Sequence, residues 1–287
     1  MGEKQDPKTA EPETTGHVWD GIREYNNPMP RWWLWTLYAT IVWGIGYMIL
    51  YPAWPLVSQA TPGLLGYSSR GELAHTLEEF NERNAPLDAA LVTAELADVH
   101  ADANLMEYAL RGGAAVYQAH CSQCHGSGGN GAVGYPNLLD DDWLWGGSLE
   151  DIRYTVVHGI RNDADEGARF SQMPAYGEFM EDEQIDGVVH YVLSLSGQDH
   201  DPYALSLGAI VYAENCVSCH GEDGRGNQAE GAPNLTDPIW LYGGSEDAIR
   251  ESVAYSRHGV MPNWNTRLTE AQIRQVAIYV HQLGGGE

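Results

Sequence analysis

The five residues CSQCH (121–125) recur as CVSCH (216–220), and these two copies hold every cysteine in the chain. No other feature restricts the fold so tightly. Two thiols three residues apart can each form a thioether with one edge of a porphyrin, and the following histidine is then held over the iron. A four-cysteine zinc site would not need a histidine at both places. A thioredoxin-like pair belongs on a βαβ pattern, which is absent. Left uncrosslinked, these thiols would be exposed and reactive. The expectation is therefore two c-type haem anchors.

The motifs lie within a longer duplication. GAAVYQAHCSQCHG (113–126) aligns with GAIVYAENCVSCHG (208–221), PNL (136–138) with PNL (233–235), and WLWGG (143–147) with WLYGG (240–244). Met173-Pro174 matches Met261-Pro262, Gln184-Ile185 matches Gln272-Ile273, and YVLSLSG (191–197) matches YVHQLGG (279–285). The order is the same and only loop lengths differ, so one domain is used twice. Gly113 and Tyr117 share a helix face, as do Gly208 and Tyr212. Ile185, Val188, Val189 and Val192 have helical apolar spacing. Each unit is expected to be a small helical domain whose first and last helices cross, with the glycine permitting close approach. A haem would supply the large apolar object that so short a core needs.

A sixth iron ligand must come from elsewhere. Met173 and Met261, each before a proline in a polar loop and at equivalent places in the repeat, are the candidates. Met106 and Met180 read as core filler. His158 and His258, each followed by glycine, precede the methionine loop at unequal distances. They are expected as structural histidines, with ligation or a hydrogen bond to a haem propionate as the alternatives. Ligation by His and Met favours a raised potential and electron transfer, and closes the iron to small molecules. The pairing stays open. Ligation within one repeat is the simple default, but Met173 could serve the haem of the second unit and Met261 that of the first.

Residues 32–50, WWLWTLYATIVWGIGYMIL, carry no charge. At ~1.5 Å per residue this run covers roughly 28 Å, close to the hydrocarbon thickness of a bilayer. Trp32, Trp33 and Trp35 sit at one end, with Tyr51 and Trp54 at the other, the aromatic-belt pattern. YPAWP (51–55) ends the helix, since proline cannot continue it. A cleaved signal peptide competes, because SQA (58–60) resembles a cleavage site. The apolar run is too long for a usual signal, however, and a mostly polar, partly acidic segment precedes it. A retained anchor is expected. Arg23 and Arg31 precede the span and no Lys or Arg follows until Arg70, so the positive-inside rule puts the N-terminus in the cytoplasm. Gly44 and Gly46 permit close helix approach, so the span could dock as well as anchor. The expected division is a cytoplasmic tail (1–31), a transmembrane helix (32–54), a periplasmic linker (55–105) and two haem domains (106–198 and 199–287).

The formal net charge is -25, and the only lysines are Lys4 and Lys8. Such a chain repels nucleic acid. The acidity reads as a well-solvated, salt-tolerant surface or as a docking face for a basic partner.

YNNPMPRWWLWTLYATIVWGIGYMILYPAWP (25–55) resembles the membrane signature of the CcoP/FixP family, the dihaem subunit III of cbb3-type cytochrome c oxidase. The CxxCH, PNL and MP motifs fall in place behind it. The resemblance runs from about Tyr25 to the C-terminus, and the tail 1–24 is not informative. It implies a mainly α fold with one N-terminal transmembrane helix followed by two tandem class I-like cytochrome c domains. Two covalently bound haem c groups are implied, at Cys121, Cys124 and His125 and at Cys216, Cys219 and His220. They would lie on the periplasmic side of a bacterial inner membrane. By the same resemblance, the carbonyls of Pro136 and Pro233 accept from the ligand histidine rings. The implied partners are a soluble or membrane donor cytochrome c, CcoN- and CcoO-like oxidase subunits and a small CcoQ-like subunit. Electrons would pass from the donor towards the CcoO-like subunit, with oxygen reduced in the CcoN-like subunit of a proton-pumping complex. A free membrane-tethered dihaem shuttle and a dihaem peroxidase-like enzyme are the alternatives, the latter requiring an iron with an accessible position.

Overall fold

An uncharged run that starts after Arg31 must satisfy its backbone groups within itself if it lies in a bilayer. It does so as helix α1 (Arg31–Leu50), which buries none of its residues and is long and apolar enough to cross a membrane. Its last carbonyls are met by a returning loop. Tyr51 N–H donates to Tyr47 O at 2.9 Å, and Leu64 and Leu65 N–H donate to Ile49 and Leu50 O at 3.0 Å each. The rings of Trp43, Tyr47, Tyr51 and Tyr67 form a continuous series beside this end. Residues 13–286 are described by the computed structural model, which divides after Arg83 into two compact units. Lys4 and Lys8, and the first part of the expected tail, lie outside the described residues. Within that tail, β1 (Thr14–Trp19) and β2 (Ile22–Tyr25) pair as an antiparallel hairpin. The turn is Asp20-Gly21, the dipeptide that suits a tight hairpin.

The segment expected as a linker also has structure. Helix α2 (Ser69–Thr93) and a 3-10 turn (Leu96–Ala101) occupy it. Leu91, Leu96 and Val99 pack with Leu105, Ala109 and Ile278 into an apolar cluster of the second unit. Arg274 donates to the carbonyls of Leu91 (3.1 Å) and Ala94 (2.6 Å), which closes the C-terminal end of α2. Burial alone would raise the Glu270 carboxyl, but Arg274 and Arg153 hold it below its ordinary range.

The second unit contains two cores built from the duplicated sequence. Its further helices are α3 (Ala103–His120), α4 (Ser122–His125), α5 (Leu149–His158), α6 (Asp182–Leu195), α7 (Leu205–Asn215), α8 (Val217–His220), α9 (Glu246–Tyr255) and α10 (Glu270–His281). The matched Gln184 and Gln272 are capping-box residues, whose Oε1 atoms accept from Glu181 and Thr269 N–H at 3.1 and 3.0 Å. The isoleucine after each is buried in its helix.

The expected crossing of first and last helices within each repeat is not what forms. Instead α3 packs along α10, and α7 packs along α6. A Cβ at Gly113 would overlap the Gln275 carbonyl and the Tyr279 side chain. One at Gly208 would overlap the Gly187 carbonyl and the Tyr191 side chain. The rings follow the same exchange, with Tyr117 against Tyr279 at 5.5 Å and Tyr212 against Tyr191 at 5.0 Å. The glycine does license the close approach, but the partner helix comes from the other repeat. Two duplicated helix pairs have nearly interchangeable faces, so either pairing satisfies the local pattern.

The first core thus combines Val116, Tyr117, Ile152 and Val156 with Ile273, Val276, Ala277 and Val280. The second combines Ile185, Val188, Val189 and Val192 with Val211, Tyr212 and Ile249. The chain leaves the first core after α5 and returns before α10, and the two passing strands are tied together. Ile160 and Met261 exchange both backbone hydrogen bonds at 3.0 Å. Asn162 Nδ2 donates to Asn263 Oδ1 at 2.8 Å.

Two outcomes test this arrangement. Gly208→Val should cost about 2 kcal/mol by overpacking, or about 4–8 °C in Tm, read by thermal unfolding of the purified protein. A haem-loaded fragment of residues 171–258 holds all of the second core and should unfold cooperatively, whereas 106–198 holds half of each core and should not.

Candidate haem-binding site

Each CxxCH begins where a long helix ends. Cys121 and Cys216 are the C-caps of α3 and α7, with N–H groups donating to Tyr117 O and Tyr212 O at 2.8 and 2.9 Å. The next turn, α4 or α8, brings His125 N–H onto Cys121 O and His220 N–H onto Cys216 O, both at 2.9 Å. Both thiols and the imidazole are thereby placed on one short helical turn. Burial pushes the Cys121 and Cys216 thiols up to about 11, with the neighbouring cysteine of each pair adding to the effect.

The histidine rings are held alike. His125 Nδ1 lies 3.1 Å from Pro136 O, and His220 Nδ1 lies 3.0 Å from Pro233 O. A carbonyl only accepts, so Nδ1 carries the proton and Nε2 keeps its lone pair for a metal. Burial lowers both imidazoles, partly offset by the carbonyl bond. Each ring is thus held neutral and aimed. A buried tyrosine braces the loop behind each motif. Tyr117 Oη donates to Gly126 O at 2.7 Å and Tyr212 Oη to Gly221 O at 2.8 Å, with the two residues 0% and 2% exposed.

The methionines follow the helix exchange. Met173 lines a cavity of about 450 Å³ together with Cys216, Cys219 and His220. Met261 packs against the first core, as Cys121 does. The aromatic three residues after each methionine goes with it. Tyr176 Oη donates to Asn215 O at 2.8 Å, next to Cys216, and the Trp264 ring lies tilted against that of His120, next to Cys121, at 5.3 Å. A volume of this size, walled by Val188, Val192, Val211, Leu235 and Ile249, suits a large apolar group with a few polar edges. With two thiols, a neutral imidazole and a thioether at its margin, the donor set is that of a covalently bound haem.

The other candidates fall as follows. His158 Nδ1 is engaged by Asp165 Oδ1 at 2.9 Å, beside the Tyr154 ring. His258 Nδ1 lies 2.7 Å from Ser256 O, at the wall of the second cavity. Met106 packs on the cluster around Leu91, and Met180 on the second core. Several groups had no motif to announce them. Tyr176 and Trp264 could have been found as the aromatic in M-P-x-aromatic, since both repeats keep it. Arg169 over Trp145 and Arg257 over Tyr242 form a matched pair at the third position of WLWGG and WLYGG. Arg161, which lines the second cavity, has no counterpart in the repeat and no sequence signal.

The comparisons with known proteins agree with this chemistry. A family described as the N-terminal domain of cytochrome oxidase-cbb3, FixP, matches residues 11–58. Cytochrome c matches 110–196, and cytochrome c oxidase, cbb3-type, subunit III, matches 204–280. The chain is 60% identical over 282 residues to the cbb3-type cytochrome c oxidase subunit CcoP of Cereibacter sphaeroides, covering 98% of this chain and 97% of that one. It is 50% identical over 295 residues to CcoP of Rhodobacter capsulatus, with 99% of each covered. It is 46% identical over 286 residues to the subunit FixPc of Rhizobium leguminosarum, with 100% of each covered. The two cytochrome matches meet at the repeat boundary, so they follow the duplication in sequence and not the exchanged cores.

The tyrosine brace gives a direct test. Tyr212→Phe leaves the Gly221 carbonyl without its donor and should lower stability by about 1–3 kcal/mol with the haem still attached, measured by denaturant unfolding of the loaded protein.

Proposed function

The chain belongs to the CcoP/FixP family of cbb3-type cytochrome c oxidase subunits, and on that premise we propose that it is the electron-entry subunit of such an oxidase, carrying two covalently bound haem c groups. The first is attached at Cys121 and Cys124 and ligated by His125 and Met261. The second is attached at Cys216 and Cys219 and ligated by His220 and Met173. The observation that supports the crossed pairing is that Met173 lines one cavity with His220, while Met261 packs against the first core, as Cys121 does.

Each haem supplies a one-electron iron couple. The residues of the chain do the rest. Pro136 and Pro233 fix the imidazole rings and keep their Nε2 atoms unprotonated. The methionines close the sixth position, which favours outer-sphere transfer over substrate binding and weighs against a peroxidase. The apolar walls exclude water. Pro136 has two roles, since its carbonyl holds His125 and the residue also lines the cavity around His220. One residue therefore touches the ligand of the first haem and the pocket of the second, which supports transfer between them.

In this reading α1 is the anchor in a bacterial inner membrane, with the N-terminus cytoplasmic and both haem cores periplasmic. The basic residues Arg23 and Arg31 before the span support that orientation. The donor is a cytochrome c, and the acceptors are CcoO- and CcoN-like subunits, with a CcoQ-like subunit in the same complex.

Purification in mild detergent should bring down CcoN- and CcoO-like chains. A stable solitary protein, with respiration unchanged on deletion, would replace this reading by a free tethered shuttle. For the ligands, Met261→Ala introduced into the Cys216→Ala/Cys219→Ala background should change the spectrum of the remaining haem, and Met173→Ala should not. The reverse result would restore ligation within each repeat.

A further inference from the structure

Two guanidinium groups line the second cavity, and they differ in one respect. Arg257 is neutralised by Glu251 at 2.8 Å and spends its remaining donors on Ser252, Ala248 and the Tyr242 carbonyl. Arg161 has no carboxylate within ion-pair distance among the described residues. Its Nε donates to Gly259 O at 2.7 Å and its Nη1 to Ser171 O at 2.9 Å, both neutral acceptors. Burial disfavours its charged form, yet a guanidinium stays protonated at any working pH. A half-buried cation without a counter-charge is costly unless something anionic joins it.

The backbone adds a second, independent sign. Arg161 has φ 50, in the left-handed region that an ordinary side chain avoids. Such a conformation persists where the surroundings fix it, and such positions concentrate at ligand sites. Here the two carbonyl bonds fix it, because Gly259 and Ser171 lie on the two strands that pass between the cores.

Asp140 and Asp142 line the same cavity, and burial together with Asp237, Asp140 and Asp141 pushes the Asp142 carboxyl up to about 6. These carboxylates already resist further negative charge. The Cys216, Cys219 and His220 set commits this cavity to a haem, and a haem brings two carboxylates. We propose that Arg161 is the counter-charge for a haem carboxylate at the second site, and that it raises the reduction potential of that haem. The sign follows from charge. Reduction adds an electron to the iron, and a fixed cation at the haem edge favours the more negative state.

The proposal rests on haem attachment at both motifs but not on which methionine ligates which iron. The test is a redox titration of the full-length protein, followed optically. The wave of the second haem is identified as the one absent from Cys216→Ala/Cys219→Ala. If that variant keeps two waves, the attachment reading fails, and this proposal with it. Arg161→Leu should lower the midpoint of that wave by about 59 mV or more, a tenfold loss in the one-electron reduction equilibrium, with a smaller shift in the other wave. Arg161→Lys keeps the charge and should recover most of the shift. Arg111→Leu, which removes an exposed arginine paired with Glu107, controls for net charge and should move neither wave. An unmoved second wave in Arg161→Leu, equal shifts in both waves, or a lysine variant no better than leucine would each overturn the proposal.

Discussion

Two backbone hydrogen bonds between Ile160 and Met261 mark the place on which the rest of the haem-binding unit depends. There the outgoing strand from α5 meets the returning strand that leads to α10. Each passing strand delivers one methionine. Because the strands pass, Met261 arrives at the first core and Met173 at the second, and α10 and α6 are seated on α3 and α7. The asparagine pair Asn162–Asn263 and the guanidinium of Arg161 reinforce the same point. Without this tie, nothing in the local pattern distinguishes an exchanged pair of cores from two separate ones.

That ambiguity explains what could be seen in the sequence. The CxxCH, PNL and Met-Pro motifs are short and local, so they stand out in the sequence, and the contact of each motif histidine with a proline carbonyl, implied by the family resemblance, forms. The apolar run of α1 was legible too, because length and composition decide it. The partner of each glycine face was not. Gly113 and Gly208 occupy equivalent positions, and so do Tyr279 and Tyr191, so a duplicated sequence offers each helix two acceptable mates. Only the length and course of the loops after α5 and α9 select between them. Helix α2 was hidden for a different reason. Much of it is polar and exposed, and the few leucines that bury are matched to Ile278 far along the chain. The hairpin 14–25 was announced only by Asp20-Gly21, a signal too short to outweigh a polar tail.

Arginine does most of the positive-charge work among the described residues. Arg274 closes the end of α2 and shares Glu270 with Arg153. Arg169 and Arg257 lie over Trp145 and Tyr242 at matched places. Planar, multi-donor guanidinium groups can satisfy several carbonyls and stack on a ring at once, which a lysine cannot. An acidic chain with few cations therefore places them where one side chain serves several neighbours.

The exchange of helices also sets an order of events in time. A chain synthesised from its N-terminus presents CSQCH first, but the helix that completes that core, α10, is the last to emerge. CVSCH at 216–220 appears later, yet its companions α6 and Met173 are already out, and α9 follows shortly after. The second core can therefore close before the first. Cys121 and Cys124 stay in an unfinished segment until then, and the first core is sealed only when the final helix arrives.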